Sequence, residues 1–171
     1  MIKKLLATSL ALCSLFAPVL ASAETMPVSG RLIQASGPAI YWQTSGGRSV
    51  FPNEETFYSW FSPYDFARIV HISDAEMASL RIEGNISYRP GSRLLKITTD
   101  PRVYAVDNRG VLRPIESESA AAALYGPNWA QFIDDVPDAF FVSYTIGAPI
   151  RRPSDFHPTT ALTPTSDYGR Y

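Results

Sequence analysis

Arg31-Leu32-Ile33 returns further along this chain as Arg93-Leu94-Leu95, and the segments that follow it return in the same order. Ile40-Tyr41 comes back as Val103-Tyr104, Gly47 as Gly110, Asn53-Glu54 as Ser117-Glu118 and Pro63 as Pro127. Asp65-Phe66-Ala67 then matches Asn128-Trp129-Ala130, Val70 matches Ile133, Met77-Ala78 matches Phe140-Phe141 and Gly84 matches Gly147. The spacing holds near about 63 residues, and self-similarity at a fixed period is the mark of a repeated structural unit. The chain is therefore expected to fold as two tandem homologous units, about 30–89 and 92–150, within a duplicated domain spanning 24–150.

Both units carry the same local signals. A short strand (31–35; 93–98) leads into a hairpin with arms at 39–43 and 48–51 in the first unit and 102–106 and 111–113 in the second. Thr44-Ser45-Gly46-Gly47 and Asp107-Asn108-Arg109-Gly110 join the arms, with Gly and Asn available for the positive φ of tight hairpins. Pro52 and Pro114 close the second arms, since proline cannot donate to a ladder. Asn53 and Ser117 are placed as N-caps of helices over 54–61 and 118–125, each with an acid in the first turn. A second short helix begins at the capping-box spacing Ser73-Asp74-Ala75-Glu76, and its counterpart begins near Val136-Pro137-Asp138. The segment 86–89 is expected as a strand that turns through Pro90-Gly91-Ser92 and pairs with 93–98; Tyr144–Ile146 is its counterpart. Hairpins outnumber crossovers, so the fold class is α+β: two units, each an antiparallel strand set plus two short helices, packed as one compact domain. Residues 151–171, dominated by Pro, Ser, Thr, Arg and Tyr, read as a flexible tail.

Residues 1–23 have the three parts of a secretory signal peptide: Lys3 and Lys4, an apolar run from Leu5 to Leu20, and Ala21-Ser22-Ala23 before Glu24. Cys13 falls inside that run, with Leu12 before it where a lipid-attachment site wants a small residue. Cleavage after Ala23 would leave a chain without cysteine, so its fold would depend on its core rather than on disulfides. No later segment is long and apolar enough to span a bilayer. The full chain carries 15 basic and 16 acidic groups, and loss of Lys3 and Lys4 leaves 13 against 16. That balance argues against nucleic acid as a partner, which calls for a basic face. The expected location is secreted, periplasmic or cell-surface.

Several stretches then resemble a repeat module found in exported bacterial surface and cell-envelope proteins. They are Arg31-Leu-Ile-Gln, Ala39-Ile-Tyr, Phe51-Pro-Asn-Glu, Ile72-Ser-Asp-Ala-Glu, Gly84-Asn-Ile-Ser-Tyr-Arg-Pro-Gly, Lys96-Ile-Thr-Thr-Asp-Pro-Arg-Val-Tyr-Ala-Val, Leu112-Arg-Pro-Ile and Asp134-Asp-Val-Pro-Asp-Ala-Phe-Phe. The likeness covers residues 30–150, with Gln34 in place of the usual Lys and Arg48-Ser49 in place of a basic pair. It implies location and architecture, and carries no catalytic residue.

Candidate sites follow from residue chemistry. Tyr41, Trp42, Tyr58, Trp60, Tyr64, Tyr88 and Tyr104 are many aromatics for one small core. They either fill that core or, where exposed, stack on sugar rings or a protein partner. Tyr41, Trp42 and Tyr104, with Arg48 and Arg113 for acidic groups, form the binding set this reading selects; Arg89 and Arg93 extend the basic stripe. Asp134, Asp135 and Asp138 are the one oxygen-rich grouping suited to a hard cation, although the segment lacks the ligand pattern of a calcium loop. His71 lies between Val70 and Ile72 in an apparent strand opposite Asp134 of the other unit, and His157 lies in the tail. Acid–base work would need a positioned partner for either. The favoured function is a non-enzymatic exported module, without cofactor, that binds envelope polymer or a surface protein. The alternative is a small hydrolase or accessory enzyme using His71 or the Asp134–Asp138 grouping.

Overall fold

The computed structural model describes residues 30–159. The signal-peptide reading, Cys13 and the last part of the expected tail, 160–171, lie outside the described residues. The strands are β1 (Arg31–Gln34), β2 (Ile40–Gln43), β3 (Arg48–Val50), β4 (Val70–His71), β5 (Ile82–Asn85), β6 (Leu94–Ile97), β7 (Asp100–Asp107), β8 (Val111–Pro114), β9 (Ile133–Asp135) and β10 (Thr145–Ile146). The helices are α1 (Glu54–Trp60), α2 (Asp74–Ser79), α3 (Glu118–Tyr125) and α4 (Asp138–Phe141), with 3-10 turns at Pro63–Arg68, Asn108–Gly110, Trp129–Phe132 and Pro153–Asp155. The class is α+β.

The strands form two five-stranded mixed sheets, ordered β4-β1-β2-β3-β5 and β10-β8-β7-β6-β9. Each is an antiparallel meander of three strands flanked by short parallel edge strands. Read from β9, the second order repeats the first strand for strand. The backbone hydrogen bonds correspond as well. Phe51 N–H donates to Ile40 O and Ile115 N–H to Val103 O; Ile72 N–H donates to Gln34 O and Val136 N–H to Lys96 O. Ile86 N–H donates to Val50 O and Ile150 N–H to Pro114 O. By these bonds His71 corresponds to Asp135, and Phe66 to Ala130. Each pairing falls one residue later than the sequence comparison placed it, because the connections between strand β3 and helix α1, and between β8 and α3, absorb the slip.

Local signals explain most elements. The Asn53 side chain accepts from Thr56 N–H at 2.9 Å and the Ser117 hydroxyl accepts from Ala120 N–H at 3.2 Å, so both predicted caps satisfy otherwise orphaned donors. Ser73 caps α2 in the same way, through Glu76 N–H at 3.1 Å. In the β7–β8 hairpin the positive φ falls on Arg109 and Gly110, not on Asn108. The expected strand at 86–89 is replaced by β5, four residues earlier, which runs parallel to β3. The free edge of β6 is taken by β9, with Leu94 opposite Ile133, so no pairing between 86–89 and 93–98 is needed.

Strand alternation sends successive residues to opposite faces. In the first sheet Leu32, Trp42 and Ser49 share a face, and α1 closes it: Leu32, Trp42, Phe51, Phe57, Phe61 and Ile86 form one cluster. In the second, Leu95 and Tyr104 face a cluster with Tyr88, Val106, Leu112 and Val136, against which Phe140 and Phe141 of α4 pack. Leu94 and Ala105 face the other way, into a cluster with Ile150 and Phe156 supported by Leu124, Tyr125 and Trp129. Burying each such large side chain contributes about 1.5–3 kcal/mol, which is how a fold without disulfides is held. The expectation of a flexible tail from 151 is corrected for its first nine residues. Phe156 is only 4% exposed, and Arg113 donates to the Asp155 carbonyl at 2.7 Å.

Candidate functional site

The five residues selected for binding do not share a surface. Trp42 (4% exposed) and Tyr104 (0%) are core residues, and the Tyr104 hydroxyl is spent on Asp100 Oδ2 at 3.0 Å. Neither ring can stack on a ligand, because each is covered by the cluster it belongs to. Tyr41 is half-buried on the opposite face from Trp42 and lies under the Arg48 guanidinium, 4.9 Å from its ring centre. Arg113 is held inward by the carbonyls of Ala148 (3.0 Å) and Asp155 and stands 3.6 Å from Asp107. It projects from the face of the second sheet opposite Tyr104, since Arg113 is paired with Ala105 and Tyr104 with Pro114.

The acidic grouping also separates. Asp134 forms a two-pronged ion pair with Arg93, Asp135 stands 3.9 Å from Lys96, and Asp138 accepts from the Thr99 hydroxyl at 3.1 Å. Asp134 and Asp135 are successive strand residues and so point to opposite faces. Among the described residues no group of three His, Cys, Asp or Glu side chains comes together. His71 is exposed on edge strand β4 of the first sheet, whereas the three aspartates belong to the second half, on β9 and α4.

What the fold does assemble is an apolar cleft of about 480 Å³ at one end of the first sheet. Pro38, Ile40, Phe51, Phe57, Phe66 and Phe140 supply its walls, with Asn53, Glu54 and Asn85 as its polar groups. Phe57 is fixed by burial under α1 and stacks on Phe66 at 4.9 Å. Phe66 is presented by the Pro63–Arg68 turn, which Asp65 ties together by accepting from Ser62 N–H (2.8 Å), the Ser62 hydroxyl (2.9 Å) and Arg68 (3.0 Å). Burial alone would raise the Asp65 pKa, but those donors outweigh it and hold the carboxyl below its ordinary range. Tyr58 meets Phe57 and Phe66 edge-on at 5.7 and 6.0 Å, and Tyr64, on the same turn as Phe66, is 89% exposed. The Tyr58 hydroxyl bonds to Glu54; that bond, partial burial and the carboxylate charge all raise its pKa.

No known protein family, curated protein or solved structure matches this chain. The site must be judged on its own geometry. An aromatic cleft with two amides and one carboxylate is suited to holding a ligand by contact area and a few polar anchors. Tyr58 and Tyr64 belonged to the aromatic set visible in the sequence; Phe66, Pro38 and Phe140 were missed as site residues. Phe140 joins the cleft from the other half of the chain, and no local signal announces such a contact. In the second half, Ala121 and Ala130 stand where Phe57 and Phe66 stand in the first, matched through the helix caps and through the Ile69 and Ile133 N–H bonds. The aromatic walls are therefore particular to the first half.

Proposed function

We propose that this chain is an exported, non-enzymatic binding module made by tandem duplication of one unit, and that its ligand-binding surface is the aromatic cleft of the first unit. Duplication is supported by the shared strand order and by the recurring backbone hydrogen bonds. Export is supported by the signal-peptide pattern at residues 1–23. The observation that carries the binding reading is the continuity between buried Phe57, half-open Phe66 and solvent-exposed Tyr58 and Tyr64 around one cleft. Stable folding does not require a ring as open as Tyr64, whereas stacking on a sugar or gripping an apolar segment does. The ligand class is envelope polymer or an extended segment of a surface protein. No nucleic acid is expected, and no helix among the described residues is long and apolar enough to cross a membrane.

The test is co-sedimentation of the full chain with isolated cell-wall and membrane fractions, for wild type and the double variant Tyr64→Ala, Phe66→Ala. Retention of the wild type, weakened about tenfold or more in the variant, is the expected result; a tenfold loss corresponds to about 1.4 kcal/mol of contact. Equal retention of the two proteins, or none of the wild type in any fraction, contradicts the reading.

A further inference from the structure

The aromatic cleft has a candidate occupant in the chain itself. Residues 151–159 run back over the second sheet, with Phe156 buried and Pro158 set against Gly91, where any Cβ would collide with the Pro158 carbonyl. Gly91 is two residues from Arg89, whose N–H donates to Ser59 Oγ on α1 at 3.0 Å. The cleft lies at the other end of that same helix, at Asn53, Glu54 and Phe57. A seven-residue helix is about 10 Å long, so the chain is delivered close to the cleft. Twelve residues, 160–171, remain beyond the described fold. Extended, they reach about 40 Å, comparable to the span of a domain with a radius of gyration of about 14 Å.

The chemistry is complementary. Glu54 stands at the cleft, and among the described residues no basic side chain pairs with it. The outlying segment offers Leu162 and Pro164 for an apolar, proline-lined wall, then Tyr168-Gly169-Arg170-Tyr171, two rings flanking one cation. We infer that residues 160–171 fold back into the aromatic cleft of their own chain, rings against Phe57 and Phe66 and Arg170 against Glu54, as an internal competitor of external ligand. This rests on the cleft being a binding site, and does not depend on which ligand it takes.

The full chain carrying Cys13→Ser and a nitroxide on Ser166→Cys tests it by paramagnetic broadening of amide signals. The expected result is loss of signal centred on Ile40, Phe66 and Phe140, reversed by adding Arg170→Glu, which places like charges together. Broadening confined to the exit point around Gly91 and Val106 overturns the inference. So does broadening transferred to isotope-labelled, nitroxide-free chains in a mixture, which would mean that the segment enters a second copy. Envelope retention with an undocked segment refutes only this inference; a docked segment without retention refutes only the binding reading.

Discussion

Trp42 and Ala105 occupy matching positions in the two sheets, Trp42 opposite Ser49 and Ala105 opposite Arg113, yet one carries a large ring and the other a methyl group. The second sheet makes up the difference with Phe156, brought in by the chain after β10 and packed into Ala105's cluster. Trp42→Ala and Phe156→Ala are each expected to cost about 3–5 kcal/mol in urea denaturation, since each leaves a ring-sized cavity. Tyr64→Ala should stay within about 0.5 kcal/mol. Residue type alone could not separate these rings, because exposure is decided by strand face and by the turn that presents each one. Three exposed carboxyls report on acid stability. Asp100 is held low first by Arg102's side chain, then by its backbone N–H and by the Tyr104 hydroxyl; Asp74 by the Ser36 hydroxyl and N–H; Asp155 by the N–H groups of Arg152 and Arg151. A folded pKa below the unfolded value of about 3.9 stabilises the native state fully above that pH and is lost as pH falls through the folded value. The denaturation midpoint should therefore drop below about pH 4, and Asp100→Asn should make that drop shallower. A drop of unchanged steepness would remove Asp100 from the account.

Among the elements, helices α1, α2 and α3 were legible because their starts are written in cap residues, and the central meanders were legible from β-branched and aromatic runs around Gly-containing turns. The edge strands were not. β4 and β10 are two residues long and β5 includes Gly84, so their pairing is settled by the crossovers that deliver them rather than by propensity. The docked segment 151–159 was hidden by its Pro- and Ser-rich composition, which masks the single anchoring ring of Phe156. That docking depends on Gly91, which holds a φ of +73° and leaves no space for a side chain beneath Pro158. Gly91→Ala should lift the segment and speed tryptic cleavage at Arg151 and Arg152; an unchanged cleavage rate would show that Phe156 alone holds it.

For the molecule as a whole, the two halves meet through Tyr88, whose N–H donates to the Tyr144 hydroxyl at 3.1 Å, and through Asn85, which donates to the Ser143 hydroxyl at 3.3 Å. Burial pushes the Tyr144 phenol up to about 12, keeping it neutral at this junction. Phe140 crosses the same boundary to finish the cleft. In the proposed account one topology is built twice, the second copy closed over by Phe156 and the first left open around Phe57 and Phe66. Sequence comparison reached the two-part plan but missed by one residue the matching of His71 and Phe66, since strand register is fixed by hydrogen bonds that side-chain similarity tracks only loosely. Amide hydrogen exchange tests the plan most directly, read at Phe51 and Ile115, Ile72 and Val136, Ile86 and Ile150. The account predicts that the two members of each pair are both protected, because each N–H serves the same bond in its own sheet. Protection in one half with free exchange at the matching amides of the other would contradict it.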